Sequence, residues 1–297
     1  MKRFFIIYLL YTYSFTYSQN FENKYNFLEP SDSLIKSRQA SLLIMHSALI
    51  GSNVFLLNQY YYKDKSKIEL HFKKDLNGSG MIDKYSHGLF SYQFTRLSNE
   101  SFKWSGTDYK TSLIYSNVFG VTMLTIKEFL DGVTEDSGWS WYDFSSNFIG
   151  AGLYTGQELL WKKQRIQPKF SYNESKINNY LTESSYDTSE RFLKNYEAHT
   201  YWLSFNINSF LKTEYIPNWL NFSLGYSVNG FLKPKDQSII NEKYKSYYIS
   251  IDIDLTEIKT RSHFLKTIFS ILNMIKIPAP TLQFSTNKTS KAYLFYF

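Results

Sequence analysis

The 297-residue sequence contains no cysteine. That excludes disulfides, thiol catalysis and attachment of a lipid through an N-terminal cysteine. No glycine-rich nucleotide loop, nucleophile elbow or HExxH-type metal signature occurs either. Charge is missing over long runs. No Asp, Glu, Lys or Arg lies between Arg38 and Lys63, and none from Thr111 to Ile126. What is plentiful is apolar and aromatic, 43% hydrophobic with 19% Phe, Trp and Tyr. That content suffices for a buried core and argues against global disorder. Rings with a wet tip suit strands and also membrane interfaces.

The N-terminal run "MKRFFIIYLLYTYSFTYSQN" has a basic start at Lys2 and Arg3, an apolar stretch from Phe4, and small residues before Gln19. This is the layout of a secretory signal peptide over 1–18, cleaved after Ser18. Its apolar stretch is shorter than the ~20 residues a spanning helix needs. The expected location is therefore exported, in the periplasm or outer membrane, which excludes a nucleic-acid partner. Loss of Lys2 and Arg3 lowers the formal charge of +7 by two. Such a mild excess serves solubility rather than naming a partner.

The pattern beyond residue 18 predicts an α+β chain. A helical domain spans 19–164, a polar loop 165–197, and an antiparallel β region 198–297. The first helix, 34–62, is long enough to cross a membrane. His46, Ser47, Ser52, Asn53 and Asn58 dilute it, so a buried or membrane-apposed helix fits equally. Three more helices follow, from near Met81, over 108–131, and from Ser140 to about Gln164. Strict alternation then marks strands, as where Leu220, Phe222, Leu224 and Tyr226 oppose Asn221, Ser223, Gly225 and Ser227. About five strands are expected, with a helix inserted over 261–276 and two strands closing on Phe297. Five strands do not close a membrane barrel, the smallest of which has about eight. A sheet packed on the helices is the expected arrangement.

The distinctive residues are polar ones inside apolar helices. Asp83 and His87 share a helical face, as do Glu128 and Asp131 with Asn117 behind them, and Asp143 with Asn147. His87, Glu128 and Asp131 are the candidate catalytic or metal-ligating group, because an imidazole and two carboxylates can hold a divalent ion or move protons. The alternative is a satisfied structural seam in which Lys84 and Lys127 neutralise the acids. The stretch "SGWSWYDFSSNFIGAG" carries Ser140 three residues before Asp143, a capping spacing that assigns both residues to the helix start. Trp139 and Trp141 read as packing or interface residues. Gly150, Gly152 and Gly156 read as a small face for close helix approach. "DLNGSGMID" mimics a calcium loop at Asp75, Asn77, Ser79 and Asp83, but its twelfth position is Ser86 rather than Glu, so it reads as a turn.

The series "DKYSH", "KEFLDG", "SGWSWYDF" and "SSNFIGAGLYTG" resembles the YfiM-like predicted periplasmic lipoprotein family over about 81–157, in its longer Bacteroidetes-type form. The spacing of the polar residues more loosely resembles VanZ-like membrane proteins. The first resemblance implies an envelope location and no assigned activity. The second implies a compact bundle with a polar seam at or in a membrane. The function expected is a non-catalytic structural or assembly role in the envelope, with a membrane and an unidentified envelope protein as partners and no cofactor. The alternative is a hydrolase acting on an envelope lipid or glycan through His87, Glu128 and Asp131, with a divalent metal as its possible cofactor.

Overall fold

The computed structural model describes residues 27–63, 65–76, 78–173, 195–231 and 242–296. The expected signal peptide, most of the expected polar loop and Phe297 lie outside them. Four helices form the first region: α1 (Lys36–Leu56), α2 (Ile82–Trp104), α3 (Tyr109–Gly132) and α4 (Trp141–Trp161). The second is an antiparallel six-stranded sheet in simple sequence order. Its strands are β1 (Ile166–Tyr172), β2 (His199–Asn206), β3 (Leu220–Asn229), β4 (Tyr244–Ile253), β5 (Ala279–Ser285) and β6 (Lys291–Tyr296). A short helix α5 (Ile207–Leu211) follows β2, and α6 (His263–Leu272) is inserted between β4 and β5.

Helix starts follow local chemistry. Asp108 caps α3 by accepting from Thr111 N at 3.0 Å. Ser140 caps α4 by accepting from Asp143 N at 3.2 Å, and α4 ends where Lys162 turns left-handed at φ 49°. Helix α2 sits at the centre. It crosses α4 so closely that a Cβ on Gly150 would lie 2.0 Å from Gly88 O, and α3 so closely that one on Gly120 would lie 2.1 Å from Thr95 Oγ1. Gly152 and Gly156 meet nothing within 4 Å, so of the expected small face only Gly150 makes a close approach. Helix α1 lies along α3, where His46 stacks on Phe102 and meets Phe119 edge-on, and Asn53 donates to Met123 O.

The expected loop is corrected at its start. Residues 166–172 are β1, whose inward residues Gln167, Lys169 and Ser171 are polar. The sheet curls until the run entering β5 reaches β1. Phe170 N donates to Met274 O at 3.0 Å, and Phe170 O accepts from Lys276 N at 2.8 Å. Contacts cross the enclosed space from wall to wall, as where Ser204 on β2 donates to Asp252 on β4 at 2.7 Å. Lys169, Asp252 and Lys276 are fully enclosed, with Lys169 Nζ 2.8 Å from Asp252 Oδ2.

The faces of this sheet are the reverse of a water-soluble one. Asn221, Ser223, Ser227, Ser246, Ser250, Asp252 and Thr281 are buried, whereas Phe222, Leu224, Tyr247, Ile249, Ile251, Leu282 and Phe284 are exposed. The helical region follows suit. Buried α2 residues include Lys84, His87, Ser91, Gln93, Arg96 and Asn99, while Ile114, Val118, Phe148, Ile149 and Leu160 face outward. The two regions join along α2. Ile82 and Leu89 pack with Tyr201 and Val228, Tyr226 OH donates to Gly80 O, and Gln93 Nε2 donates to Pro168 O.

Candidate functional site

One end of the bundle gathers a dense group of buried charges. Lys84 on α2 reaches three carboxylates, Asp75 at 2.7 Å, Asp83 at 2.8 Å and Asp143 at 3.1 Å. Burial alone would lower the Lys84 pKa, but the bonds to Asp75 and Asp83 and the charge of Asp143 hold it above the usual lysine value. Burial pushes the Asp75 carboxyl up, and hydrogen bonds from Lys84 and Ser140 more than offset it, leaving it lowered. Asp83 and Asp143 are both raised, burial being the main cause. The calcium-loop mimic is thus built differently from its sequence likeness, because the Lys84 ammonium stands between Asp75 and Asp83.

A turn further along α2, His87 and Glu128 meet, with Nε2 3.3 Å from Oε1. The other ring nitrogen, Nδ1, lies 2.9 Å from Asn147 Oδ1 on α4. An amide oxygen only accepts, so Nδ1 carries the proton and the Nε2 lone pair points at Glu128. Burial pushes Glu128 up to about 8. Burial, reinforced by the positive charge of Lys127, holds His87 down at about 4. At neutral pH the imidazole is therefore neutral, and the Glu128 carboxyl favours its protonated form. Glu128 Oε2 accepts from Ser140 N at 3.4 Å, tying the pair to the start of α4.

The expected trio is regrouped. Asp131 turns away from His87 and binds Lys127 Nζ at 2.6 Å and Tyr62 OH at 2.7 Å. The third acid near His87 and Glu128 is Asp143, and one ligand atom from each of the three lies within 4.8 Å of the others. The assignment of Asp143 to the cap is corrected in the same way. The Ser140 hydroxyl is the cap, and the Asp143 carboxylate faces Lys84. Asn117 lies apart from this end. It exchanges hydrogen bonds of 2.7 and 3.0 Å with Thr155, and its eleven-residue separation from Glu128 is about 16 Å of helix. Trp139 packs on Trp141 and Phe144, and Trp141 lies exposed against Phe72. Sequence reasoning missed Asp75 and Tyr62 as members of this cluster, since both lie outside the periodic part of a helix.

An enclosed imidazole–carboxyl pair flanked by carboxylates and two ammonium groups can hold a proton, a cation, or simply the helix ends. Its setting is an α+β protein whose sheet has a polar interior and an apolar exterior. Residues 69–156, a segment that contains this cluster apart from Tyr62, match the family model described as "Predicted periplasmic lipoprotein (DUF2279)". That description places the family in the periplasm, consistent with export, and names no activity. The chain has no cysteine to carry the lipid that the description names. No curated protein and no solved structure matches the chain.

Proposed function

We propose that this protein is a non-catalytic envelope component, with a structural or assembly role, whose apolar exterior is seated in the boundary of a membrane. The observation that carries the reading is the reversed sheet, with serine, asparagine, aspartate and lysine inside and a continuous field of Phe, Leu, Ile and Tyr outside. Water-facing sheets do the opposite, whereas lipid-facing ones require this pattern. Helix α1 with its continuation, Lys36–Tyr61, is long and apolar enough to cross a membrane by length and composition, and little of it is buried. Strands β1, β5 and β6 have 7, 7 and 6 residues, below the roughly 9–11 that a spanning strand needs. The sheet is therefore read as lying in the lipid boundary rather than as a pore-forming barrel. The likeness to longer YfiM-like relatives and to VanZ-like bundles belongs to this same reading.

The test is extraction of cell membranes with alkaline carbonate and, separately, with detergent. Retention through carbonate and release by detergent are expected; full release by carbonate as a folded soluble protein would sink the proposal. A second reading, a hydrolase of envelope lipid or glycan, is favoured by the His87–Glu128 pair, whose proton affinities are displaced in opposite senses. It requires His87→Ala and Glu128→Gln each to fail to complement a deletion strain while still accumulating in the membrane.

A further inference from the structure

The group at the end of the bundle has an unusual stoichiometry. Five carboxyl groups, on Asp75, Asp83, Glu128, Asp131 and Asp143, share the ammonium groups of Lys84 and Lys127. Lys84 serves three of them and Lys127 is spent on Asp131. Glu128 is 1% exposed, and its Oε1 has no hydrogen-bond partner among the described residues. The nearest ammonium, Lys127, stands 3.7 Å away, outside hydrogen-bond reach. Buried carboxylates persist where they are paired or coordinate a metal, and this oxygen points at the open lone pair of His87 Nε2.

We propose that His87, Glu128 and Asp143 form a three-ligand site for a divalent transition metal, with zinc the ion to test, and that Asn147 orients the imidazole. The distances suit it. Two ligands each about 2.0–2.1 Å from a tetrahedral ion are about 3.3 Å apart, and His87 Nε2 and Glu128 Oε1 are 3.3 Å apart. The Asp143 carboxylate completes a triangle within 4.8 Å. Imidazole nitrogen with carboxylate oxygens and no thiolate is a donor set for zinc and its neighbours rather than for copper(I). The Nδ1–H of His87 is held by Asn147 Oδ1 at 2.9 Å, the outer contact that fixes the tautomer of a metal-bound histidine. Ser140 N on Glu128 Oε2 does the same for the carboxylate and leaves Oε1 for the ion. Lys84 keeps Asp75 and Asp83, and the ion shares with it the Asp143 carboxylate that Lys84 reaches at 3.1 Å.

The test uses the full-length protein in detergent, stripped with chelator and titrated with zinc. Wild type should take up about one zinc per chain, and X-ray absorption should show an oxygen and nitrogen shell at about 2.0 Å with one imidazole. Glu128→Gln, which keeps an acceptor for Ser140 N, and His87→Gln should each lose at least a hundredfold in affinity. Asn147→Ala should weaken binding by roughly ten- to a hundredfold through its outer contact. Asp131→Asn should bind as wild type does. Circular dichroism identifies variants that have lost their helices, and these are set aside. The wild-type titration alone decides if every variant unfolds: less than a tenth of an equivalent on folded protein overturns the site. Unchanged affinity in folded Glu128→Gln overturns it as well.

Discussion

The helical region and the sheet both turn polar residues inward and apolar ones outward, but they distribute the buried charge differently. In the bundle the densest group of charges sits at one end, around Lys84 and Lys127, while Arg96 and Glu158 are paired singly further along and apolar packing such as Tyr92 with Leu113 and Tyr154 lies between. In the sheet polar groups recur at every second residue along the strands, with Lys169, Asp252 and Lys276 wholly enclosed. A helix satisfies its own backbone and can keep its side chains apolar. A strongly curled sheet draws its inward side chains into a narrow space, where they pair with one another across the gap. The bundle can therefore lose a charge near its rim and let water in, whereas the sheet has no such outlet.

The sharpest way to break that contrast is Asp252→Ala. It leaves Lys169, fully buried and 2.8 Å from that carboxylate, with only the neutral acceptors Ile253 O and Asn273 Oδ1 among the described residues. Stranding a buried charge costs about 3–5 kcal/mol. Chemical unfolding in detergent should show a loss of that size, and a loss under about 1 kcal/mol would mean that water reaches the sheet interior after all.

Gly150→Ala comes next and probes the bundle without touching its charges. The added Cβ would meet Gly88 O at 2.0 Å, a backbone atom that moves only if α2 and α4 separate. Overpacking of this kind costs about 1–3 kcal/mol, and a backbone contact belongs at the upper end. The same unfolding measurement should place it below Asp252→Ala. A wild-type midpoint would show that α2 and α4 cross further apart than described.

How far the sequence foretold these regions follows from what each periodicity carries. Alternation over Leu220–Val228 and Ile249–Leu255 marked strands plainly, but a period of two cannot say which face is inside. The answer depends on the solvent, and here the apolar face looks out. Strand β1 escaped because "IQPKFSY" puts Gln167, Lys169 and Ser171 inward and includes Pro168, so it reads as polar loop. In the bundle, helical spacing put His87 and Glu128 on polar helix faces, which the fold brings together. It failed for Asp131, because a three-residue step leaves that side chain about 60° around the helix, on the side of Tyr62 and Lys127. Asp75 had no periodicity to announce it, being fixed by a loop whose turn brings it to Lys84 and Ser140.

The bundle's charged end also predicts a pH response in chelator-treated protein. Glu128 has its pKa raised from 4.5 to about 8, chiefly by burial, with Asp143 and Asp131 adding to the rise and Lys127 and the Ser140 amide opposing it. The folded state thus holds a proton that the unfolded state has lost, and stability falls as pH rises from 4.5 to about 8. His87, lowered from 6.5 to about 4, acts in the opposite sense, raising stability as pH climbs through that lower window. The two offset each other where the windows overlap. Between pH 6.5 and about 8 only Glu128 acts, and the decline is on the order of 2 kcal/mol. Unfolding of Glu128→Gln measured across that range should be flatter than wild type; equal slopes would place the titration elsewhere.

The smallest effect separates two glycines that look alike in the sequence. Gly152 lies on α4 two residues from Gly150, yet a Cβ there would meet nothing within 4 Å. Its backbone is ordinary helix, so alanine removes conformational freedom from the unfolded chain and adds no clash. Gly152→Ala should therefore stabilise by about 0.4–1 kcal/mol, opposite in sign to Gly150→Ala. It also tests the outward face of α4, since Gly152 borders a shallow groove with Val118, Val121 and Phe148. If that groove is filled only by lipid, the gain should be the same in detergent and in membranes. If a partner helix packs there through the small residue, the gain should appear in detergent and reverse in the native membrane. Thermal melts in both settings would tell a lipid-facing groove from a protein-facing one.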